Sequence, residues 1–106
     1  MPLIKPTDLP FAAAQIAERL GELVSKARRA RGWTQADLAA KAQVSDSTLY
    51  AAERGDARIS LQHWLRLLWA TDQLDRIAEA IDPAKDTPAV REMLSKLPRR
   101  VRRSRA

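Results

Sequence analysis

The chain has 106 residues, of which 45% are hydrophobic and 30% are charged, and its formal net charge is +6. This length allows one compact domain of about 100 residues, and the composition excludes wholesale disorder and fibrous repeats. The absence of cysteine and the presence of one histidine exclude disulfides and argue against a metal site. We therefore expect no metal and no cofactor. No enzyme is indicated either, because no cluster of acids, bases or phosphate-cradling glycines is found.

The positive charge is concentrated at the C-terminus. Five arginines supply +5 with no acid among them, which leaves +1 for the rest of the chain: Arg99, Arg100, Arg102, Arg103 and Arg105. Within that rest, residues 16–31 hold five basic residues against two acidic ones, whereas residues 72–92 hold six acidic residues against three basic ones. The basic segment, residues 16–31, therefore favours a polyanionic partner, whereas the acidic segment, residues 72–92, does not.

The chain opens with a predicted arm and a long amphipathic helix. Three prolines favour extended backbone over residues 1–8, and Asp8 is a candidate N-cap for the helix that follows. The first helix is predicted over residues 11–31, and it ends before Gly32, a favoured stop residue. Its apolar face is predicted to consist of Phe11, Ile16, Leu20, Leu23, Val24 and Ala27.

Two short helices follow, joined by about three residues. Thr34 caps a helix over residues 35–42, and Asp37, in the place where a capping box usually has Glu or Gln, is expected to reach back only imperfectly. Ser45 caps a third helix that stops at Arg54-Gly55-Asp56.

Further helices complete the chain. Ser60 caps a fourth helix with an apolar stripe of Leu61, Trp64, Leu65 and Leu68, which Leu67 and Trp69 widen. A fifth helix runs from Leu74 to Ile81 and ends at Asp82-Pro83. Residues 87–97 can form one more helical segment, with Thr87 as cap and Pro88 at the first helical position. No alternating strand pattern is found, so the fold class is all-α. We expect an arm over residues 1–8, a domain over 9–82 and a C-terminal extension over 83–106.

The two short helices indicate a way of binding DNA. Such a pair, held against a longer helix, allows one helix to enter a DNA major groove about 12 Å wide. The motif residues resemble the helix-turn-helix domain of the Cro and lambda-repressor (XRE) class, and they are Arg28, Gly32-Trp33-Thr34-Gln35, Leu38-Ala39, Val44-Ser45, Leu49, Glu53-Arg54-Gly55 and Ser60-Leu61. The resemblance implies a five-helix lambda-repressor-like DNA-binding domain with a basic C-terminal tail. Within the class, Gly32-Trp33-Thr34-Gln35, the small size and the tail resemble HipB-type antitoxins.

The resemblance also implies roles for individual residues. The third helix is the recognition helix, and its base-reading positions are Asp46, Ser47, Tyr50 and Ala51. Phosphate contacts fall to Gln35, Ser45, Thr48 and Arg58. The charge of the tail, and not the resemblance, adds four more candidate phosphate contacts: Arg99, Arg100, Arg102 and Arg103. Gln35 would also brace the recognition helix. Arg28 and Glu53 correspond to a structural ion pair between the first and third helices.

Several of these residues have a second interpretation. Asp46 can simply favour the helix N-terminus through the helix dipole, and Ser45 is the expected cap, although its hydroxyl proton would stay free for a phosphate. Gln43 stands where the class usually has glycine, so a left-handed conformation there would be strained by about 1 kcal/mol. The arginine tail can contact phosphate, bind a partner or stay solvated. Core packing or a dimer contact is a better interpretation of Trp33, Trp64 and Trp69 than base stacking, and His63 is expected at the surface.

The functional hypothesis is a dimeric repressor that binds a palindromic operator in double-stranded DNA, since one recognition helix reads too few base pairs to be selective. The fifth helix and exposed Trp and Leu residues of the fourth are the expected dimer surface. One alternative is a HipB-type antitoxin that binds a HipA-like kinase toxin through the acidic segment and autoregulates its operon. Another is an adaptor or RNA binder with the same fold. The longest apolar stretches have four residues, so we expect no membrane span and a cytoplasmic protein.

Overall fold

The computed structural model of the protein describes residues 8–98, and every regular element in this range is helical. The α-helices in chain order are α1 (Phe11–Ala30), α2 (Gln35–Ala42), α3 (Asp46–Glu53), α4 (Leu61–Ala70), α5 (Leu74–Ala80) and α6 (Pro88–Ser95). A short 3-10 helix, Pro83–Lys85, lies between α5 and α6. The all-α prediction is confirmed, and α6 corresponds to the additional helical segment predicted over residues 87–97.

The chain divides into two compact units, and the division falls after Leu74. The first unit contains α1 to α4 and the whole buried core, whereas no residue from Asp75 to Pro98 is buried. The expected domain end at residue 82 stays a prediction. The two units differ in kind, because only the first has enough buried apolar surface to support a fold of its own.

Each of the first four helices contributes one large and fully buried aliphatic side chain to the core. These residues are Val24 of α1, Leu38 of α2, Leu49 of α3 and Leu67 of α4. Burial of one such side chain stabilises a fold by about 1.5 to 3 kcal/mol. Since α3 contributes Leu49 and Ala52 to this core, α3 is attached along its inner face and not merely at its ends.

The buried faces of α1 and α4 differ from the predicted ones. Phe11 and Ile16 are exposed, and Ala17 and Gly21 are buried in their place. In α4, Leu61 and Leu65 are exposed. The prediction was wrong because a helical period identifies an apolar stripe but does not say which part of it a neighbouring helix covers.

On α4, the residues that pack inward are Trp64, Leu67 and Leu68. Thr71, which follows the helix, is completely buried, and its hydroxyl donates to the Leu67 carbonyl at 2.8 Å. The polar side chain is therefore satisfied within its own helix end, as burial requires.

The predicted caps are correct at four of five helix starts. The hydroxyls of Thr34, Ser45, Ser60 and Thr87 accept hydrogen bonds from backbone amides of the first turns of α2, α3, α4 and α6. The expectation for Asp8 is wrong, because the N-cap of α1 is Pro10, which makes no side-chain cap hydrogen bond.

The capping box of α2 is complete although aspartate replaces the longer glutamate. The Asp37 amide donates to the Thr34 hydroxyl at 3.0 Å, and the Thr34 amide donates to Asp37 Oδ2 at 2.9 Å. The hydrogen bond from the Thr34 amide lowers the pKa of Asp37. The expectation of an imperfect return contact was therefore wrong, since the shorter side chain still reaches.

Candidate DNA-binding site

The turn between α2 and α3 is formed without glycine. Gln43 ends α2 with φ 57° and ψ 47°, which is the left-handed conformation anticipated at this position. The Gln43 amide donates to the Ala40 carbonyl and the Val44 amide to the Ala39 carbonyl, at 3.3 and 3.0 Å. The two helices are thus connected as in a glycine-containing turn, at the cost of a strained non-glycine residue.

The C-terminal end of α3 lies directly against the backbone of α1. A Cβ atom on Gly21 would lie 2.4 Å from the Ala52 carbonyl oxygen and 2.8 Å from the Gly55 nitrogen. Gly55 has φ +79°, and a Cβ there would lie 2.7 Å from Cα of Glu18. Both positions therefore require glycine, because contact at this distance leaves no space for a side chain.

Sequence reasoning missed the role of Gly21. A glycine inside a helix costs about 1 kcal/mol relative to alanine, so its presence in the middle of a long helix indicates either weakness or a packing requirement. That signal was available in the sequence, but the identity of the contacting element was not. The structure assigns the contact to the end of α3.

A bidentate ion pair connects α1 to α3. Arg28 Nε donates to Glu53 Oε2 at 2.7 Å, and Arg28 Nη2 donates to Glu53 Oε1 at 3.1 Å. The two side chains are only 13% and 8% exposed. The hydrogen bond to Glu53 raises the pKa of Arg28 above its ordinary value. Two parallel charge-assisted hydrogen bonds fix the angle between the helices as well as their distance.

The same ion pair extends to the start of α2. Arg28 Nη1 donates to the Trp33 carbonyl at 2.8 Å, and Gln35 Nε2 donates to Glu53 Oε1 at 3.1 Å. Gln35 is half-buried and thus braces the base of α3. The structure brings Arg28, Gln35 and Glu53 together into one network, in which each residue comes from a different helix.

At its other end, α3 presents polar side chains to solvent. Asp46, Ser47 and Tyr50 are exposed, with Tyr50 44% exposed, and Ala51 is half-buried. Residues at i, i+1, i+4 and i+5 share one face of a helix. The four predicted base-reading residues therefore form a single surface, which we call the tip of α3 (residues 46, 47, 50 and 51).

Three hydroxyl groups form a cluster beside this tip. The Ser45 hydroxyl accepts from the Thr48 amide at 3.1 Å and donates to Thr48 Oγ1 at 2.8 Å, and it lies 3.2 Å from the Ser47 hydroxyl. The Ser45 proton, expected to be free for a phosphate, is therefore used within the cluster. Thr48 accepts in this pair and keeps its own proton for another acceptor.

Arg58 is held by a neighbouring acid. Its Nε and Nη2 donate to the two carboxylate oxygens of Asp56 at 3.0 and 2.9 Å, while its side chain is 86% exposed. The side-chain hydrogen bond from Arg58 lowers the pKa of Asp56 to about 2. A phosphate would have to compete with Asp56 for Arg58. The remaining predicted phosphate contacts, Arg99, Arg100, Arg102 and Arg103, lie outside the described residues.

The tryptophans occupy three different environments. Trp64 is buried in the core, and Trp69 is 62% exposed. Trp33 is half-buried, with the Lys41 ammonium 4.8 Å and the Arg31 guanidinium 5.7 Å from its ring centroid. None of the three belongs to the tip of α3, so base stacking is not indicated there.

His63, expected at the surface, is half-buried, and its Nδ1 lies 3.0 Å from the Ser60 hydroxyl. Across residues 8–98, no group of three or more His, Asp or Glu side chains has the arrangement of a metal site. Over the same range, no helix is both long enough and apolar enough to cross a membrane.

Comparison with known proteins agrees with this geometry. A family model described as helix-turn-helix matches residues 24–68, from the middle of α1 to near the end of α4. This match supports the resemblance to the XRE class, whose domain is a DNA-binding domain and not an enzyme domain. No curated protein matches the chain. Together with its all-helical architecture, the match indicates a DNA-binding regulator with a lambda-repressor-like fold.

Proposed function

We propose that the protein is a sequence-specific repressor that binds double-stranded DNA as a dimer and reads the major groove with the tip of α3. The observation that carries this proposal is the exposure of Asp46, Ser47 and Tyr50 on a helix whose opposite end is clamped to α1. A rigid helix with an exposed polar face is what readout of base edges requires.

Each tip residue has a chemical role in this proposal. Asp46 accepts a hydrogen bond from cytosine N4, Ser47 donates or accepts, and Ala51 contacts a thymine methyl group. Tyr50 packs its ring against the groove wall and reaches a phosphate with its hydroxyl. An acid at the tip is repelled by phosphates unless it finds a donor, so Asp46 lowers non-specific affinity and adds selectivity.

Phosphate contacts hold the recognition helix in register. We assign them to Thr48, which keeps its own hydroxyl proton, to Arg58, and to Gln35 near the start of α2, with the amides of the helix starts assisting. The arginine tail adds contacts of its own. If its five arginines neutralise five phosphates, the logarithm of the binding constant falls with the logarithm of salt concentration with a slope of about −4.5. Affinity for any duplex is therefore expected to fall steeply with salt.

The proposal requires a dimer, because the tip of one α3 helix reads too few base pairs to be selective. Two half-sites about 34 Å apart require two recognition helices related by a two-fold axis, which gives a palindromic operator. The exposed side chains Leu61, Leu65 and Trp69 recur at i, i+4 and i+8 on α4. This outer apolar face of α4 is our candidate for the dimer surface.

The test begins with selection of a preferred duplex from random sequences, followed by binding measurements on that duplex and a scrambled one at fixed salt. We expect Ser47→Ala and Tyr50→Ala each to reduce the discrimination between the duplexes by about 1 to 3 kcal/mol. Their thermal midpoints should stay near that of the wild type, because both side chains are exposed. Ser95→Ala in α6 is the matched control and should change neither quantity.

An equal loss of affinity for both duplexes in the Ser47 and Tyr50 variants would contradict base reading by these residues. A wild-type protein with no preference after selection would contradict the proposal as a whole. That second result would favour an adaptor function instead.

A HipB-type antitoxin is the second candidate, and the unit after Leu74 favours it. This unit buries no residue and exposes Ile81, Met93, Leu94 and Leu97 next to acidic side chains. A segment with apolar side chains and no core of its own gains one by binding a partner. In this interpretation the partner is a HipA-like kinase toxin, and DNA binding provides feedback on the operon.

Co-purification of the full-length protein with the product of the adjacent gene distinguishes the two candidates. An antitoxin should retain that product, and Leu94→Asp should release it while leaving DNA binding intact. Failure to retain any neighbouring product would favour the repressor alone.

A further inference from the structure

Arg66 of α4 makes a long-range contact that neither the family match nor the motif assigns. Its Nη1 donates to the Gln43 carbonyl oxygen at 3.0 Å, across a separation of 23 residues in sequence. Arg66 is half-buried. Gln43 is the residue at which the chain leaves α2 for α3, so this side chain connects α4 to the helix-turn-helix turn itself.

Gln43 is a position where the backbone needs external support. It is one of two non-glycine residues with positive φ among residues 8–98. A side chain in the left-handed region is strained, because its Cβ crowds the carbonyl oxygen. Such a conformation persists only where the surrounding structure holds it in place.

The guanidinium of Arg66 supplies this support in two ways. It donates to a carbonyl at the C-terminal end of α2, where carbonyl groups have no partner within the helix. It also places a positive charge at the negative end of the helix dipole. The internal bonds of the turn, from the Gln43 and Val44 amides, lie within the end of α2 and do not connect it to α4.

We propose that Arg66 is a positioning residue for the recognition helix: it holds Gln43 in the left-handed conformation and thereby fixes the angle between α2 and α3. This inference rests on the proposed DNA-reading function for its consequence, but the contact itself can be tested without DNA. The angle matters because a small rotation of α3 about the turn moves the tip residues away from the base edges.

The first experiment measures amide hydrogen exchange by NMR in full-length protein without DNA. In Arg66→Met, the Val44 amide should exchange about tenfold faster, because the turn opens locally without its hydrogen bond. The Leu38 amide, in the core of α2, should change by less than about twofold. Arg66→Lys, which keeps a donor and the charge, should restore most of the protection at Val44.

The same exchange comparison is repeated in a protein that carries Gln43→Gly, because glycine adopts the left-handed conformation without strain. In that background, Arg66→Met should change exchange at Val44 by only about twofold, since less support is needed. An equal effect in both backgrounds would overturn the claim that Arg66 acts by holding Gln43.

The second experiment measures binding to the selected and scrambled duplexes as a function of salt. Arg66→Met should reduce discrimination about fivefold to tenfold and leave the salt slope unchanged, because a positioning residue neutralises no phosphate. A slope shallower by about one unit with discrimination intact would make Arg66 a phosphate contact and overturn the proposal.

The two arms separate this inference from the proposed function. Unchanged exchange at Val44 in Arg66→Met would overturn the role of Arg66 whatever the DNA result. Absence of any preference in the wild type would contradict the DNA-reading function, while the exchange data would still decide whether Arg66 holds the turn.

Discussion

The two ends of α3 differ in burial, in ion pairing and in their contact with the backbone of α1. The C-terminal end of α3 has Ala52 in the core, Glu53 in a largely buried ion pair and Gly55 against the backbone of α1. The N-terminal end exposes Asp46 and Ser47. Stability and recognition are therefore assigned to different residues of one short helix, and changes at the two ends should have separable effects.

The largest effect is expected from the ion pair. Arg28→Ala leaves the Glu53 carboxylate nearly buried without its main partner, which should lower the free energy of unfolding by about 3 to 5 kcal/mol. Urea denaturation measures this change. Lys26→Ala is the control, because its pair with Glu22 is exposed to solvent and should contribute little to stability.

The opposite outcome at Arg28 would remove the distinction between the two ends. An Arg28→Ala protein with wild-type stability and no DNA binding would place Arg28 in the contact surface and not in the scaffold.

A smaller effect is expected from the glycine contact. In Gly21→Ala the new methyl group meets the Ala52 carbonyl oxygen, so we expect a loss of stability of about 1 to 3 kcal/mol despite the better helix propensity of alanine. Gly32→Ala is the comparison, since a Cβ there meets no atom within 4 Å and adds only left-handed strain of about 1 kcal/mol.

Thermal unfolding of both glycine variants ranks the two costs. A Gly21→Ala protein as stable as the wild type would mean that α1 and the base of α3 can separate easily, which contradicts a clamped helix.

The smallest effect concerns Asp56. Because Arg58 lowers its pKa to about 2, its contribution to stability is present above the ordinary carboxyl pKa and is lost as pH falls through about 2. Arg58→Ala should move the NMR titration midpoint of Asp56 upward towards the ordinary aspartate pKa of 3.8. The effect on folding should be slight because the pair is exposed. An unmoved midpoint would mean that Arg58 is not held by Asp56 and is free for phosphate.

Local chemistry explains what was predictable from the sequence. The caps Thr34, Ser45 and Ser60 depend on residues three positions apart, and the left-handed conformation of Gln43 was anticipated because the resembled class usually has glycine at this position. Such features are determined by neighbours along the chain.

Other features depend on contacts that no local pattern specifies. The exposure of Phe11 and Leu61 reflects how far the neighbouring helices extend over α1 and α4. The need for glycine at position 21 depends on an element about 30 residues away, and the Arg66 contact joins residues 23 positions apart. The direction of the Ser45 hydroxyl is set by Thr48 and by no feature of the sequence motif.

The most direct test of the account is an NMR map of the backbone amides of the full-length protein on addition of the selected duplex. We expect the amide resonances of residues 45–51 and of Gln35 to shift, while those of Ala17 and Val24 in the core face of α1 stay in place. Shifts confined to α5 and α6, or no shifts at all near physiological salt, would contradict the claim that the tip of α3 reads DNA.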